Sequence, residues 1–291
     1  MSDAPVPPVP PQPPVPPGDS APLPPTPPPI EGTEVRSHFV RTRNAVIIRA
    51  TFTELYVDYY LHLAANHVRP PEQHDQKFKD ALAAFVLHST ARPRTELIAW
   101  TLHFEQSMLN IFLTADIAEE SVAGRIFADN VRQMQANYLY SDVVVGRNPT
   151  HRSMITFPDE DPFRAAEAFY LQSEQRPARF FTVGPEDIVM VCSHPDCDTA
   201  WFDSLTVEAL RDLDKTETLS LLERRRYRWH CGCNQEKILG VLAPAMRKDP
   251  ASLFGNDPSL QVNCPRCAAR HVVTREALEA YVAEHPAKDP A

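Results

Sequence analysis

Two pairs of cysteines constrain this chain more than anything else in it. Cys231 and Cys233 have one residue between them in "RWHCGCNQEKILG", Cys264 and Cys267 have two in "VNCPRCAARH", and thirty residues separate the pairs. Close-spaced pairs joined through an intervening segment can present four sulfurs to one ion, which is what tetrahedral zinc coordination requires. Gly232 and Pro265 suit turns this tight. Cys231, Cys233, Cys264 and Cys267 are therefore the predicted ligands of a Zn2+ ion, and any fold for the chain must bring them together. Between them runs a helical pattern, "NQEKILGVLAPAM", with Asn234 as its cap, followed by a turn in "KDPASLFGNDP"; "TREALEAYVAEH", capped by Thr274, closes the chain. A unit of about sixty residues with so small a core needs its metal to fold.

The chemistry around the thiols adds a second expectation. Closely spaced thiols of the C-x-C kind can close a small disulfide ring if the metal leaves, and Arg228, His230, Arg266 and Arg270 flank the cysteines. Neighbouring cations lower thiol pKa values and keep thiolates open to oxidants. The same four cysteines are thus candidate redox disulfide partners, while a permanent structural zinc remains the plainer alternative. Six cysteines in 291 residues are too few for a disulfide scaffold, and in a reducing cytoplasm clustered thiols ligate metal or do redox work. A formal net charge of -9 argues against a dedicated nucleic-acid binder. No apolar run is long enough to cross a membrane and no signal-peptide pattern opens the chain, so a cytoplasmic protein without membrane partners is expected. No G-x-x-x-x-G-K-[ST] loop occurs, so no ATP-driven activity is expected, and nothing else reads as an enzyme.

Half of the first thirty residues are proline, which cannot supply the amide donors of a packed element. Residues 1–40 read as a disordered proline-rich tail, either a solubilising spacer or a ligand for a proline-recognising domain. From Arg41 the apolar residues Ile48, Phe52, Leu55, Tyr56, Tyr59 and Leu63 step by three and four, predicting a helix, and Phe78, Leu82, Phe85 and Val86 predict another. After Pro93 the period becomes two. Ile98, Trp100, Leu102 and Phe104 alternate with polar or small residues, and "SMLNIFLTAD", "GRIFA", "NYLYSDVVVG" and "RSMITF" continue a strand meander, with His103 on its solvated face. Asp161 and Pro162 start a helix that buries Phe163, Ala166, Phe169 and Tyr170. Two strands, "ARFFTV" and "DIVMVC", follow. The fold class expected is α+β: a helix and antiparallel-sheet domain over 41–203, a short helical linker over 204–228 ("VEALRDL" and "ETLSLLERRR"), and a small zinc domain over 229–291. The linker buries little and should be the least stable part of the chain. Its arginines, Arg224, Arg225, Arg226 and Arg228, read as a solvated face or as counter-charge to the thiolates.

This constellation resembles heat shock protein 33, the redox-regulated holdase chaperone family, whose C-terminal domain carries C-x-C and C-x-x-C across a similar gap; "SEQRPARFF", Ser173–Phe181, is similar to that family's helix-to-strand junction. The resemblance implies an α+β domain that binds unfolded or misfolded client proteins, a metastable linker and a zinc domain. It further implies a reduced, zinc-bound inactive form, and an oxidised one in which Cys231 pairs with Cys233 and Cys264 with Cys267, zinc is released and client-binding surface is exposed, with a homodimer conceivable in that state. Two other readings compete: a constitutive zinc-domain adaptor for protein or nucleic acid, and a thiol oxidoreductase using C-P-R-C. Cys192 and Cys197, bracketing His194, read as a free or incidentally oxidised pair, or as part of a second metal site without an evident fourth ligand.

Overall fold

The computed structural model describes residues 32–146 and 148–286; the expected proline-rich tail lies outside them up to Glu31. The strands and helices run in the order β1 (Thr33–Val40), β2 (Ala45–Thr51), α1 (Thr53–Ala65), α2 (Asp75–Thr90), β3 (Glu96–Phe104), β4 (Leu109–Asp116), β5 (Ser121–Phe127), β6 (Asn137–Val145), β7 (His151–Phe157), α3 (Pro162–Gln172), β8 (Ala178–Gly184) and β9 (Asp187–Ser193). They continue through α4 (Thr199–Ser204), α5 (Val207–Arg211), α6 (Leu213–Thr216), β10 (Leu219–Trp229), α7 (Gln235–Lys248), α8 (Pro250–Phe254), β11 (Ser259–Asn263), β12 (Arg270–Thr274) and α9 (Arg275–Glu284). The α+β class holds. No helix among the described residues is long and apolar enough to cross a membrane.

Ten strands form one sheet in the order β7-β6-β3-β4-β5-β10-β1-β2-β9-β8, and β11 and β12 form a separate hairpin. On one face of the large sheet, α2 is buried at Phe78 and continuously from Ala81 through Thr90, as a helix enclosed on all sides must be. Around it the packing is aromatic: His88 stacks on Trp100 at 4.8 Å, meets Phe169 edge-on and contacts the Tyr170 hydroxyl at 3.1 Å. Burial holds the His88 imidazole well below its ordinary pKa, so it sits neutral in the core. Asp161 caps α3 by accepting from the Phe163 amide at 2.8 Å.

Four expectations are corrected. The tail predicted to reach residue 40 gives way to strand by Thr33, where Thr33, Val35 and Ser37 turn inward and Glu34 and Arg36 outward; inward threonine and serine hide the alternation in the sequence. The first predicted helix begins only at Thr53. Ile48 belongs to β2, buried on both faces, and such a strand loses the polar half of its pattern and resembles one stripe of a helix. The linker is helical only to Thr216: "ETLSLLERRR" is largely strand β10, whose inward positions are Arg225, Tyr227 and Trp229. A buried arginine in the apolar register disguised the period of two. Arg225 is satisfied there by donating to the Ser89 and Arg92 carbonyls at 3.0 and 2.9 Å, capping the C-terminal end of α2. His103 also departs from expectation: only 2 % of it is exposed, and its Nδ1 meets Asn110 Oδ1 at 2.7 Å.

β10 occupies a structural crossroads. It runs antiparallel to β1 along its length and then, at Arg228 and Trp229, pairs in parallel with Ser121 and Val122 of β5. The two halves of the sheet therefore meet only through this strand. On the sheet face opposite α2, helices α4 to α6 cover Val40, Ala45, Ile47, Val183, Val189 and Val191 with Phe202, Leu205, Leu210 and Leu213.

Candidate metal centre

Cys231 and Cys233 follow β10 directly, and Cys264 and Cys267 sit in the turn between β11 and β12. Gly232 takes φ +65°, a left-handed conformation natural to glycine, which lets the backbone double back between the first two sulfurs. The second turn closes on itself through Ala268 N–H to the Cys264 carbonyl at 2.9 Å and Cys264 N–H to the Ala269 carbonyl at 2.8 Å. All six cysteines are free thiols.

The four sulfurs lie within 4.8 Å of one another, and Cys231 to Cys264 and Cys233 to Cys267 are each 3.7 Å apart. A zinc ion bonded tetrahedrally to four sulfurs at about 2.3 Å sets them roughly 3.8 Å from each other. The predicted ligands therefore come together, with two of their separations at the spacing that zinc demands. Burial, then the nearby Cys231 and Cys264, push the Cys233 thiol up to about 12, whereas hydrogen bonds from Cys231 and Cys267 hold Cys264 far below the ordinary thiol range. Four such groups cannot all ionise beside one another without a cation to neutralise them.

The metal centre is seated on the large domain. Ala123 of β5 packs among Cys264, Cys267 and Ala269, with Cys231 and Cys233 alongside. His62 of α1 donates from Nε2 to the Cys267 carbonyl at 2.8 Å, and Arg125 of β5 donates to the Cys264 carbonyl at 3.1 Å. Trp229, two residues before Cys231, packs against Tyr59 and His62 at 5.0 and 5.7 Å between ring centroids. Sequence reasoning looked to Arg228, His230, Arg266 and Arg270 for the local cations; the fold brings Arg125 instead, and Arg266 turns to Thr114. Arg125→Ala should loosen this seat, since a charge-assisted hydrogen bond of this kind contributes roughly 1.5–3 kcal/mol. We expect the zinc-loaded C-terminal segment to become more sensitive to protease in that variant, with the large domain's melting unchanged, as limited digestion and circular dichroism would show.

Among the described residues the four-cysteine group is the only such cluster, so Cys192, His194 and Cys197 do not assemble a second metal site. Cys192 is buried in the main core and its thiol is pushed up to about 11 by that burial, which leaves it unreactive.

The family model for the Hsp33 protein matches residues 190–274, a span that includes Cys231, Cys233, Cys264 and Cys267. No curated protein sequence matches the chain. Among solved structures, the 33 kDa chaperonin (heat shock protein 33 homologue) of Thermotoga maritima shares the fold, with a TM-score of 0.67 and 13 % identity over 87 % of this chain and 98 % of that one.

Proposed function

We propose that this chain, a member of the heat shock protein 33 family by its residues 190–274 and its fold, is a redox-switched holdase in the cytoplasm that acts on unfolded client proteins without ATP. The Hsp33 assignment supports a chaperone of that type; the switch itself is our reading of the site. The observation that carries it is positional: the four-cysteine centre stands at the end of β10, and β10 joins the two halves of the sheet.

In the reduced state Cys231, Cys233, Cys264 and Cys267 would hold Zn2+, which supplies the free energy that folds residues 231–286 around a small apolar core of Ile238, Leu239, Met246, Phe254, Val273 and Leu278. Peroxide would take two electrons from each thiol pair, forming one S–S bond per pair and leaving as water, so that the sulfurs can no longer serve as ligands. The segment then loses its fold and its seat on His62, Ala123 and Arg125. β10 loses the anchor at its C-terminal end, and α4 to α6, three helices of six residues or fewer, have little stability of their own. Their departure would bare the aliphatic sheet face of Ile47, Val183, Val189 and Val191, a surface suited to unfolded chains.

The test follows zinc with a colour-forming chelator during peroxide treatment at mildly raised temperature, with light scattering of a thermally unfolding client in the same samples. Zinc loss with new anti-aggregation activity supports the switch. Zinc that stays bound, or leaves with no such activity, overturns it.

A further inference from the structure

On the sheet face away from α2, strands β3 to β5 meet the turn between β11 and β12 around a cavity of about 480 Å3. Part of its lining is a block of two directly opposed pairs, Thr101 with Phe112 and Asn110 with Phe127, which the register of β3, β4 and β5 sets side by side. Val131 and Arg132, from the connection between β5 and β6, also line it, as do Pro265 and Arg266, the two residues between Cys264 and Cys267. Arg125 ties this block to the turn: its guanidinium lies 4.2 Å from the Phe127 ring centroid and donates to the Cys264 carbonyl. Nothing in the proposed switch uses the cavity.

Most of the polar groups in the lining are donors. His103 Nδ1 and Asn110 Oδ1 lie 2.7 Å apart, a contact that uses the amide oxygen of Asn110 and leaves its two N–H donors for the cavity. Among the described residues, exposed Arg132 makes no ion pair or hydrogen bond, and Arg266 makes no ion pair and reaches only the Thr114 hydroxyl, at 3.4 Å. Asp129 also lines the cavity and ion-pairs with neither, so the lining carries two unpaired guanidinium groups against one carboxylate. The rest of it is apolar, with Phe112 and Phe127 supplying ring surface. An apolar cavity of this volume with a few convergent polar groups is the usual form of a small-molecule site. An apolar body with an acidic head matches both parts: the phenylalanine rings receive another ring by its edge or offset face, and a guanidinium fork takes a carboxylate through two parallel hydrogen bonds.

We propose that this cavity binds a small aromatic monocarboxylate, its ring against Phe112 and Phe127 and its carboxylate among Asn110, Arg132 and Arg266. Because Pro265 and Arg266 belong to the turn that carries Cys264 and Cys267, the occupant holds that turn to the sheet. Bound acid and bound zinc then favour one another, by the same factor in each direction. This coupling rests on the zinc reading above; the binding itself does not.

The probe is 2-naphthoate, titrated by calorimetry into the reduced, zinc-loaded full chain. One saturable site is expected, with the uncharged 2-naphthamide bound about tenfold more weakly for want of the charge-assisted contact. The ring-saturated decahydro-2-naphthoate should also bind more weakly. Arg132→Gln should weaken the acid about tenfold and the amide little, so that the preference for the acid collapses; a merely deformed cavity would weaken both alike. Arg164→Gln, on α3 across the sheet, should change neither. Absence of binding, an amide as tight as the acid, or a preference for the acid kept in Arg132→Gln overturns the site, and equal binding of the saturated acid overturns its aromatic class. Removing zinc with a chelator under reducing conditions should weaken naphthoate binding, and naphthoate should slow the passage of zinc to the chelator; an affinity indifferent to zinc overturns the coupling. No step uses an oxidant or a client, so these results stand or fall independently of holdase activity.

Discussion

Replacing Cys264 by serine is expected to abolish stoichiometric zinc binding and to leave residues 231–286 unfolded while the large sheet and α2 persist. The reason is the balance of terms in that segment. Its apolar core contains six buried side chains, each contributing roughly 1.5–3 kcal/mol, against a conformational entropy cost near 1–2 kcal/mol for every ordered residue. The segment cannot fold on that basis alone, and a four-thiolate zinc site, worth roughly 10–16 kcal/mol in small zinc domains, changes the outcome. Cys264 is the most consequential ligand to remove, since it is buried, lies 3.7 Å from Cys231 and carries the carbonyl that Arg125 holds. Metal analysis should fall from about one zinc per chain to a small fraction, and proteolysis should remove the C-terminal segment and leave a stable N-terminal core. A Cys264→Ser protein that keeps its zinc and its protease resistance would show that the metal does not fold this unit.

The second large effect is expected at the linker itself. Leu210 and Leu213 are 2 % and 6 % exposed and hold α5 and α6 against Val183, Val189 and Ile47. Leu213→Asp removes an apolar anchor and would bury a carboxylate among aliphatic side chains; together these cost about 3–5 kcal/mol, more than so short a helix can recover. We expect α5 and α6 to detach with the zinc still bound, giving anti-aggregation activity without oxidant. The conservative change Leu213→Met should leave the protein inactive until oxidised. If Leu213→Asp is as inactive as the parent in the reduced state, then exposure of this sheet face is not what confers client binding.

The four-cysteine cluster was legible in the sequence because its information is local: two short spacings and the glycine between the first pair specify which sulfurs meet. The strands β3 to β7 were legible as strands from their local period of two, but their order was not: β6 pairs with β3 and not with β5, so the five do not form the simple meander expected. What escaped was whatever depends on partners far along the chain. β2 lost its alternation because both of its faces are covered, and β10 because Arg225 occupies an inward position that the Ser89 and Arg92 carbonyls and the Glu223 carboxylate make tolerable. The seat of the metal centre lay still further out of reach. His62 and Arg125 contact Cys267 and Cys264 across 205 and 139 residues, and neither stands in a pattern that marks it.

The central claim is that loss of zinc at the four cysteines frees the linker. It is tested most directly by amide hydrogen exchange across residues 199–229 in reduced protein, with zinc bound and after its removal by a chelator under reducing conditions. The account predicts that the amides of α4 to α6 and β10 are protected with zinc and exchange rapidly without it, while α2 stays protected in both. Protection of residues 199–229 that is unchanged after zinc has gone would contradict it.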